Sequence, residues 1–369
     1  MKETFTFDDV LIKQRFSYVP SRKDVSLKSS FKRLPSLELP IISANMDTIT
    51  GSRMARAMSD AGAIGCLHRF CDTEKNKEMF YDAAGPYMGD MTAEVTLPMI
   101  SIGVGDEEIA RAEALLNCGA NVIVVDVAHG SQMSVANQVK NLRNALGDDF
   151  GIIVGNFSNE RCVTEFFDTV RLDYVDGIKV GVGPGSACTT RIKTGVGYPQ
   201  LSAILEIAAC LKNYNIAVIA DGGMRTAGDV AKALGAGAHF AMLGGMLAGT
   251  DETPGDIIED KKLISSEQTG PNTTSKIYVT QKFKKYRGSA SKESYDLQGK
   301  NASWRAAEGE SFVVPYKGPV SATLEDIEAG IRGAMTYTGS RTLQEFHERC
   351  EFVRVSPSTV VENGAHGKR

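Results

Sequence analysis

The sequence predicts an α/β chain folded as a (β/α)8 barrel, and three observations carry that expectation. Eight short apolar runs between residues 39 and 245 each end in Gly, Asn, Asp or His. A helical pattern or a polar loop follows each run. The length of 369 residues holds a barrel of about 250 residues together with added loops.

The candidate strands are Leu39–Asn45, Ile64–His68, Pro98–Val104, Val122–Ala128, Gly151–Phe157, Gly177–Val182, Ile216–Gly223 and His239–Gly245. Parallel strands buried on both faces carry near-continuous β-branched residues. Val122-Ile123-Val124-Val125 and Gly151-Ile152-Ile153-Val154 have that character. Between strands, Asp106–Cys118 places Ile109, Ala112, Leu115 and Leu116 at helical spacing, with Gly119 as the stop. Thr226–Leu234 is closed by Gly235-Ala236-Gly237. Strands alternating with helices imply right-handed parallel crossovers. Eight of them favour a closed barrel over an open, doubly wound sheet. After the eighth strand the rhythm breaks. Residues 250–318 are polar and rich in Lys, Ser, Thr and Gly, and are expected to be an insertion and mobile active-site flap without secondary structure. A helical pattern returns over 319–337 through Val320, Leu324, Ile327 and Ile331. The expectation is one catalytic domain over 1–369.

Hydrophobic residues make up 42% and charged residues 23%, as in globular chains. The formal net charge of −4 argues against a nucleic-acid surface, which needs a basic stripe. No apolar run reaches the roughly 18 residues that span a bilayer, and the N-terminus lacks a signal-peptide stretch. Seven scattered cysteines without zinc spacing point to a reducing, cytoplasmic setting.

Barrel chemistry lies at the C-terminal strand ends. The sixth strand leads into Gly181-Val182-Gly183-Pro184-Gly185-Ser186-Ala187-Cys188-Thr189-Thr190. Its glycines let the backbone approach a ligand closely. Its N–H groups, with the Ser186 hydroxyl, suit a phosphate, and its carbonyls suit a cation. Cys188 is either a buried thiol or a nucleophile. The loop, with Arg191 and Lys193 nearby to favour thiolate, points to a nucleophile. Asp221-Gly222-Gly223 and Leu243-Gly244-Gly245 end the seventh and eighth strands, where barrels often hold phosphate. Gly223, Gly244 and Gly245 would offer backbone N–H groups there. Asp221 would be repelled by phosphate and suits ribose hydroxyls. Met46 either packs on a flat ligand or belongs to the core. Asp126 is either a cavity group or a helix cap, and Asn156 is a candidate amide contact. His129 reads as structural. In Trp304-Arg305-Ala306-Ala307-Glu308-Gly309, Glu308 is either a solvated charge or a proton carrier on the flap.

Gly181–Ala203, read as GVGPGSACTTRIKTGVGYPQLSA, resembles the family of IMP dehydrogenases and GMP reductases. Phe7-Asp8-Asp9-Val10-Leu11, Asn45-Met46-Asp47-Thr48, Asp221-Gly222-Gly223, Met242-Leu243-Gly244-Gly245, Arg305–Gly309 and Pro315-Tyr316-Lys317-Gly318 extend the likeness over residues 7 to 355. The resemblance implies a purine 5′-monophosphate substrate, attack by Cys188 on C2 of the purine, and a nicotinamide coenzyme, NADPH in the reductase form. It implies proton handling by Thr190 and Glu308. Met46, Ser186, Asp221, Gly223, Gly244, Gly245, Ser289, Arg305 and Gly309 would bind substrate, and Arg69, Asp126 and Asn156 the coenzyme. It also implies a potassium ion on the carbonyls of Gly183, Gly185 and Cys188, and a homotetramer. The missing insert for paired regulatory (CBS) domains and the run Lys193–Gln200 resemble the reductase branch, as does Arg305–Gly309. No Arg adjoins Tyr295, whereas dehydrogenases carry an Arg-Tyr pair that activates water. His129, Arg69, Tyr286-Arg287-Gly288 and the extra sequence at 255–283 depart from the reductase pattern. An IMP dehydrogenase with an unusual base and a silent nucleotide-binding protein are the competing readings.

Overall fold

Eight parallel strands close on themselves in the order expected from the sequence. The structure, a computed structural model, describes residues 1–85, 96–270, 273–297 and 306–363. Ahead of the barrel lie β1 (Val10–Ile12), β2 (Ser29–Phe31) and β3 (Leu34–Leu37). The barrel is β4 (Ile41–Ser43), β5 (Ile64–Leu67), β6 (Met99–Ile102), β7 (Val122–Asp126), β8 (Gly151–Phe157), β9 (Gly177–Val180), β10 (Ala217–Asp221) and β11 (Phe240–Leu243). β11 pairs with β4 in parallel and completes the ring. Each of the eight strands falls inside its sequence-predicted run.

Strand side chains alternate between two cores, as a period of two requires. Val122, Val124, Ile153, Ile219 and Phe240 point into the barrel and meet Leu34 and Leu37 of the β2–β3 hairpin, which plugs the N-terminal end. Ile123, Val125, Ile152, Val154, Val218 and Ala220 point outward to the helices. Each such Val, Ile, Leu or Phe side chain contributes about 1.5–3 kcal/mol by leaving water. Side-chain caps fix several helix starts. Asp72 accepts from Lys75 N at 2.7 Å, Asn159 from Cys162 N at 3.0 Å and Thr226 from Asp229 N at 3.1 Å. The helix Val320–Thr338 restores the pattern after the insertion. β1 pairs antiparallel with β15 (Phe352–Arg354), joining the two ends of the chain. Among the described residues no helix is long and apolar enough to cross a membrane.

The insertion differs from its expected form. β12 (Ile258–Gly270) and β13 (Thr273–Arg287) make a long antiparallel hairpin, and β14 (Ser311–Pro315) adds a third strand at its base. Lys284 roots it, buried to 2% exposure, donating to the carbonyls of Thr250 at 3.1 Å and Thr253 at 2.5 Å. Residues 258–266 and 276–282 are exposed on both faces. A strand that buries neither face needs no apolar alternation, and that removed the signal by which strands are read.

Candidate active site

The C-terminal strand ends enclose a cavity of about 1290 Å³. Cys188 lines it, and its Sγ lies 3.2 Å from Thr190 Oγ1. The Thr190 hydroxyl donates to Glu308 Oε2 at 2.7 Å. With that hydrogen on the carboxylate, the threonine oxygen offers a lone pair to the thiol. Sulfur, hydroxyl and carboxylate thus form a continuous proton path.

Backbone bonds hold the path together. Thr189 N donates to Glu308 O at 2.8 Å, Glu308 N to Ala290 O at 3.0 Å and Glu310 N to Ala187 O at 2.9 Å. Gly309 bridges both Cys188 and Ser291. A Cβ on Gly309 would lie 3.0 Å from Ser291 N, and one on Gly288 would lie 2.9 Å from Ala187 O. Glycine is what permits this approach. The cysteine loop and the segment around Glu308 are therefore one unit, although far apart in sequence.

Beside the sulfur, Ser186 donates to the Tyr286 hydroxyl at 3.3 Å. Burial pushes the Tyr286 phenol above its ordinary value, which keeps it protonated. A Cβ on Gly245 would sit 2.7 Å from Ser186 Oγ, and one on Gly244 would sit 3.1 Å from Met46 Sδ. Gly222 and Gly223 take φ of 79° and 83°. This corner combines hydroxyl donors with bare backbone, and suits an anion.

A charged array floors the cavity. Lys179 Nζ lies 2.7 Å from Asp126 Oδ1 and also bonds Asp221 Oδ2. Asn45 donates to Asp126 at 2.9 Å, and Asn156 donates to Asp221 at 2.9 Å. Burial alone would raise the Asp126 carboxyl. The Lys179 charge and the bonds from Lys179 and Asn45 outweigh it and hold the group below its usual range. Burial opposes the Lys179 charge, and the two carboxylates overcome it and raise its pKa. Nearer the rim, the Arg69 guanidinium lies 5.2 Å from the Phe70 ring centre. Arg69 Nε and Asn156 Oδ1 are buried and bond to nothing among the described residues.

The loop after β4 is clamped to β13. Arg287 bonds both Asp47 oxygens and donates to Glu293 at 3.0 Å, and its N–H donates to Thr48 Oγ1 at 3.1 Å. Burial works against the Arg287 charge, and the Asp47 and Glu293 carboxylates more than compensate.

Of the sequence-predicted residues, Met46, Arg69, Asp126, Asn156, Gly183, Gly185, Ser186, Cys188, Thr190, Asp221, Gly223, Gly244, Gly245, Ser289, Glu308 and Gly309 all line this one cavity. Arg305 and Trp304 lie outside the described residues. His129 is exposed and away from the cavity lining. Arg191 donates to the carbonyls of Tyr198 at 2.5 Å and Val182 at 3.4 Å, so it braces the loop. Lys193 is exposed. Asp126 is ion-paired and caps no helix. No cluster of three or more His, Cys, Asp or Glu fit for a metal occurs among the described residues. Sequence reasoning missed Lys179, Asn45, Tyr286 and the Asp47–Arg287–Glu293 clamp. Lys179 left a signal as a charge within an otherwise apolar strand, whereas Asn45, Asp47, Tyr286 and Arg287 fell in motifs whose contacts the sequence does not show.

The model of the IMP dehydrogenase / GMP reductase domain matches residues 4–366. A GMP reductase of Phytophthora infestans is 39% identical over 95% of this chain and 90% of its own length. One from Buchnera aphidicola subsp. Acyrthosiphon pisum is 36% identical over 95% and 94%. A third, from Aliivibrio salmonicida, is 36% identical over 98% and 97%. The chain belongs to the IMP dehydrogenase / GMP reductase family.

Proposed function

We propose that this chain is an oxidoreductase that converts GMP to IMP and ammonia. The observation that carries the reading is the unbroken contact from Cys188 Sγ through Thr190 to Glu308. The relatives that cover nearly all of the chain are named GMP reductase, which favours the same reaction.

The 5′-phosphate sits against Ser186, Gly223, Gly244 and Gly245, with Ser289, Gly309 and Met46 around the base and Asp221 on the ribose. Cys188 adds as thiolate to C2, and the ring nitrogen beside it takes up the electron pair and a proton. Glu308, through Thr190, delivers a proton to the 2-amino group. Ammonia leaves as the C2–N bond breaks, and a covalent thioimidate remains on sulfur. A nicotinamide coenzyme, NADPH in this reading, would be held by Arg69, Asp126 and Asn156 and would supply the hydride to C2 of the thioimidate. Thiolate then departs and the enzyme is regenerated.

The polar atoms left over in the cavity fit such a coenzyme. Arg69 Nε is an unused donor and Asn156 Oδ1 an unused acceptor, and Asp126 lines the same cavity. A potassium ion would use the carbonyls of Gly183, Gly185 and Cys188 and would order the cysteine loop. Those hard oxygens suit it, although the Gly185 carbonyl already accepts from Cys188 N at 3.0 Å. A cytoplasmic homotetramer completes the proposal.

The test is a paired assay. GMP with NADPH should consume absorbance at 340 nm and release ammonia. Absence of that signal, together with NAD reduction in the presence of IMP, would assign the chain to the dehydrogenase branch.

A further inference from the structure

We propose that Lys179 is a positioning residue that couples the nucleotide end of the cavity to the coenzyme end, by holding Asp221 and Asp126 at the same time. The inference rests on the assignment of the two ends made above. It concerns a side chain that lines the cavity and to which that assignment gives no ligand contact.

Lys179 belongs to β9 and points into the barrel, where it is 3% exposed. Its ammonium reaches the carboxylate that ends β10 and the one that ends β7, two strands away on its other side. Each carboxylate has one further amide donor, Asn156 for Asp221 and Asn45 for Asp126. The array therefore joins five strand ends around a single nitrogen.

Nothing in barrel construction asks for it. Barrel interiors are filled by branched apolar side chains, and Ile153 and Ile219 on the two flanking strands follow that habit. A buried ammonium is costly to remove from water. The neighbouring strand also yields space, since a Cβ on Gly155 would lie 2.5 Å from Lys179 Cβ. A costly cation placed under two ligand-facing carboxylates indicates a role in binding.

One cation shared by two anions makes each anion's strength as an acceptor depend on the other. If Asp126 lost its charge, the ammonium would rest wholly on Asp221. Asp221 would then accept more weakly from ribose hydroxyls. A change at the coenzyme end should thus be felt by the nucleotide with no coenzyme present.

The test is GMP binding to the full chain by calorimetry, without coenzyme. Asp126→Asn keeps the side-chain shape and should raise the GMP dissociation constant at least threefold. Lys179→Met leaves Asp221 and Asp126 facing each other without their shared cation, so Asp221 loses its position; the constant should rise tenfold or more, and KM for GMP should rise more than kcat falls. Lys179→Arg should recover part of the loss. In all three, iodoacetamide should alkylate Cys188 at the rate of the unaltered chain, which a disrupted site would not show. If Lys179→Met fails to fold, Asp126→Asn alone decides. GMP affinity within 1.5-fold of the unaltered chain in Asp126→Asn would overturn the coupling. Failure of the unaltered chain to bind GMP would overturn the underlying assignment instead, so the two failures are distinguishable.

Discussion

Replacing Thr190 with Val tests the proton path with the smallest change of shape. A methyl group takes the place of the hydroxyl that lies 3.2 Å from the sulfur and 2.7 Å from the Glu308 carboxylate. Proton transfer by a placed side chain contributes about 10²–10⁴ in rate. That corresponds to roughly 3–5 kcal/mol of barrier. Glu308 is half-buried and keeps access to water, so the relay is weakened rather than abolished. The expected fall in kcat is therefore about a hundred- to a thousandfold. KM for GMP should change by less than about threefold, because the anion corner of Ser186 and Tyr286 is separate. Thr190→Ser restores the hydroxyl and should recover most of the rate. The assay is NADPH consumption at 340 nm under saturating GMP, with thermal melting as the folding control. A Val variant within threefold of full kcat, or a Ser variant as slow as Val, would refute the path.

Three further outcomes follow from the geometry. Arg287→Met releases the loop after β4 from β13, so KM for GMP should rise about tenfold, or about 1.4 kcal/mol, with kcat nearly unchanged; an unaltered KM would contradict the clamp. Lys284→Met leaves the buried Thr250 and Thr253 carbonyls without their donor and should cost about 2 kcal/mol in urea unfolding, whereas an unchanged midpoint would show that the hairpin root bears no load. Burial, reinforced by the His347 ring, pushes His239 down to about 3, and its Nδ1 accepts from Val218 N at 3.0 Å. The fold therefore holds the neutral form. Its contribution is complete above the unfolded value of about 6.5 and is lost as pH falls toward 3, amounting to roughly 2–3 kcal/mol lost by pH 4.5. Urea melts at pH 7 and 4.5 should show a smaller difference in His239→Gln than in the unaltered chain; equal differences would exclude His239 as the cause.

The barrel was legible because its strands are buried on both faces, so they are largely apolar runs that need no partner to be recognised. Only their ends were overdrawn. Pro98–Val104 contracts to Met99–Ile102 and Ile216–Gly223 to Ala217–Asp221, since terminal glycines and polar residues belong to the site loops. Glycines there announced the cavity, because at Gly181, Gly183 and Gly245 an added Cβ would come within 3 Å of a neighbouring residue. The outer part of the hairpin Ile258–Arg287 was hidden for the opposite reason, since over 258–266 and 276–282 neither face is buried and no alternation is required. Lys179 and Arg287 were visible as charges but not as parts of anything. Their meaning depends on partners from other strands, and Asp47 lies 240 positions from Arg287. Closure of the barrel creates those pairs, and no local pattern encodes them.

The covalent step can be seen directly. Enzyme turning over GMP with NADPH, quenched in acid and digested, should yield one modified peptide, carrying the purine nucleotide on Cys188. Cys188→Ala should give no adduct and no ammonia. Ammonia release at an undiminished rate by Cys188→Ala, or a nucleotide adduct on any other residue, would contradict the assignment of that sulfur as the nucleophile.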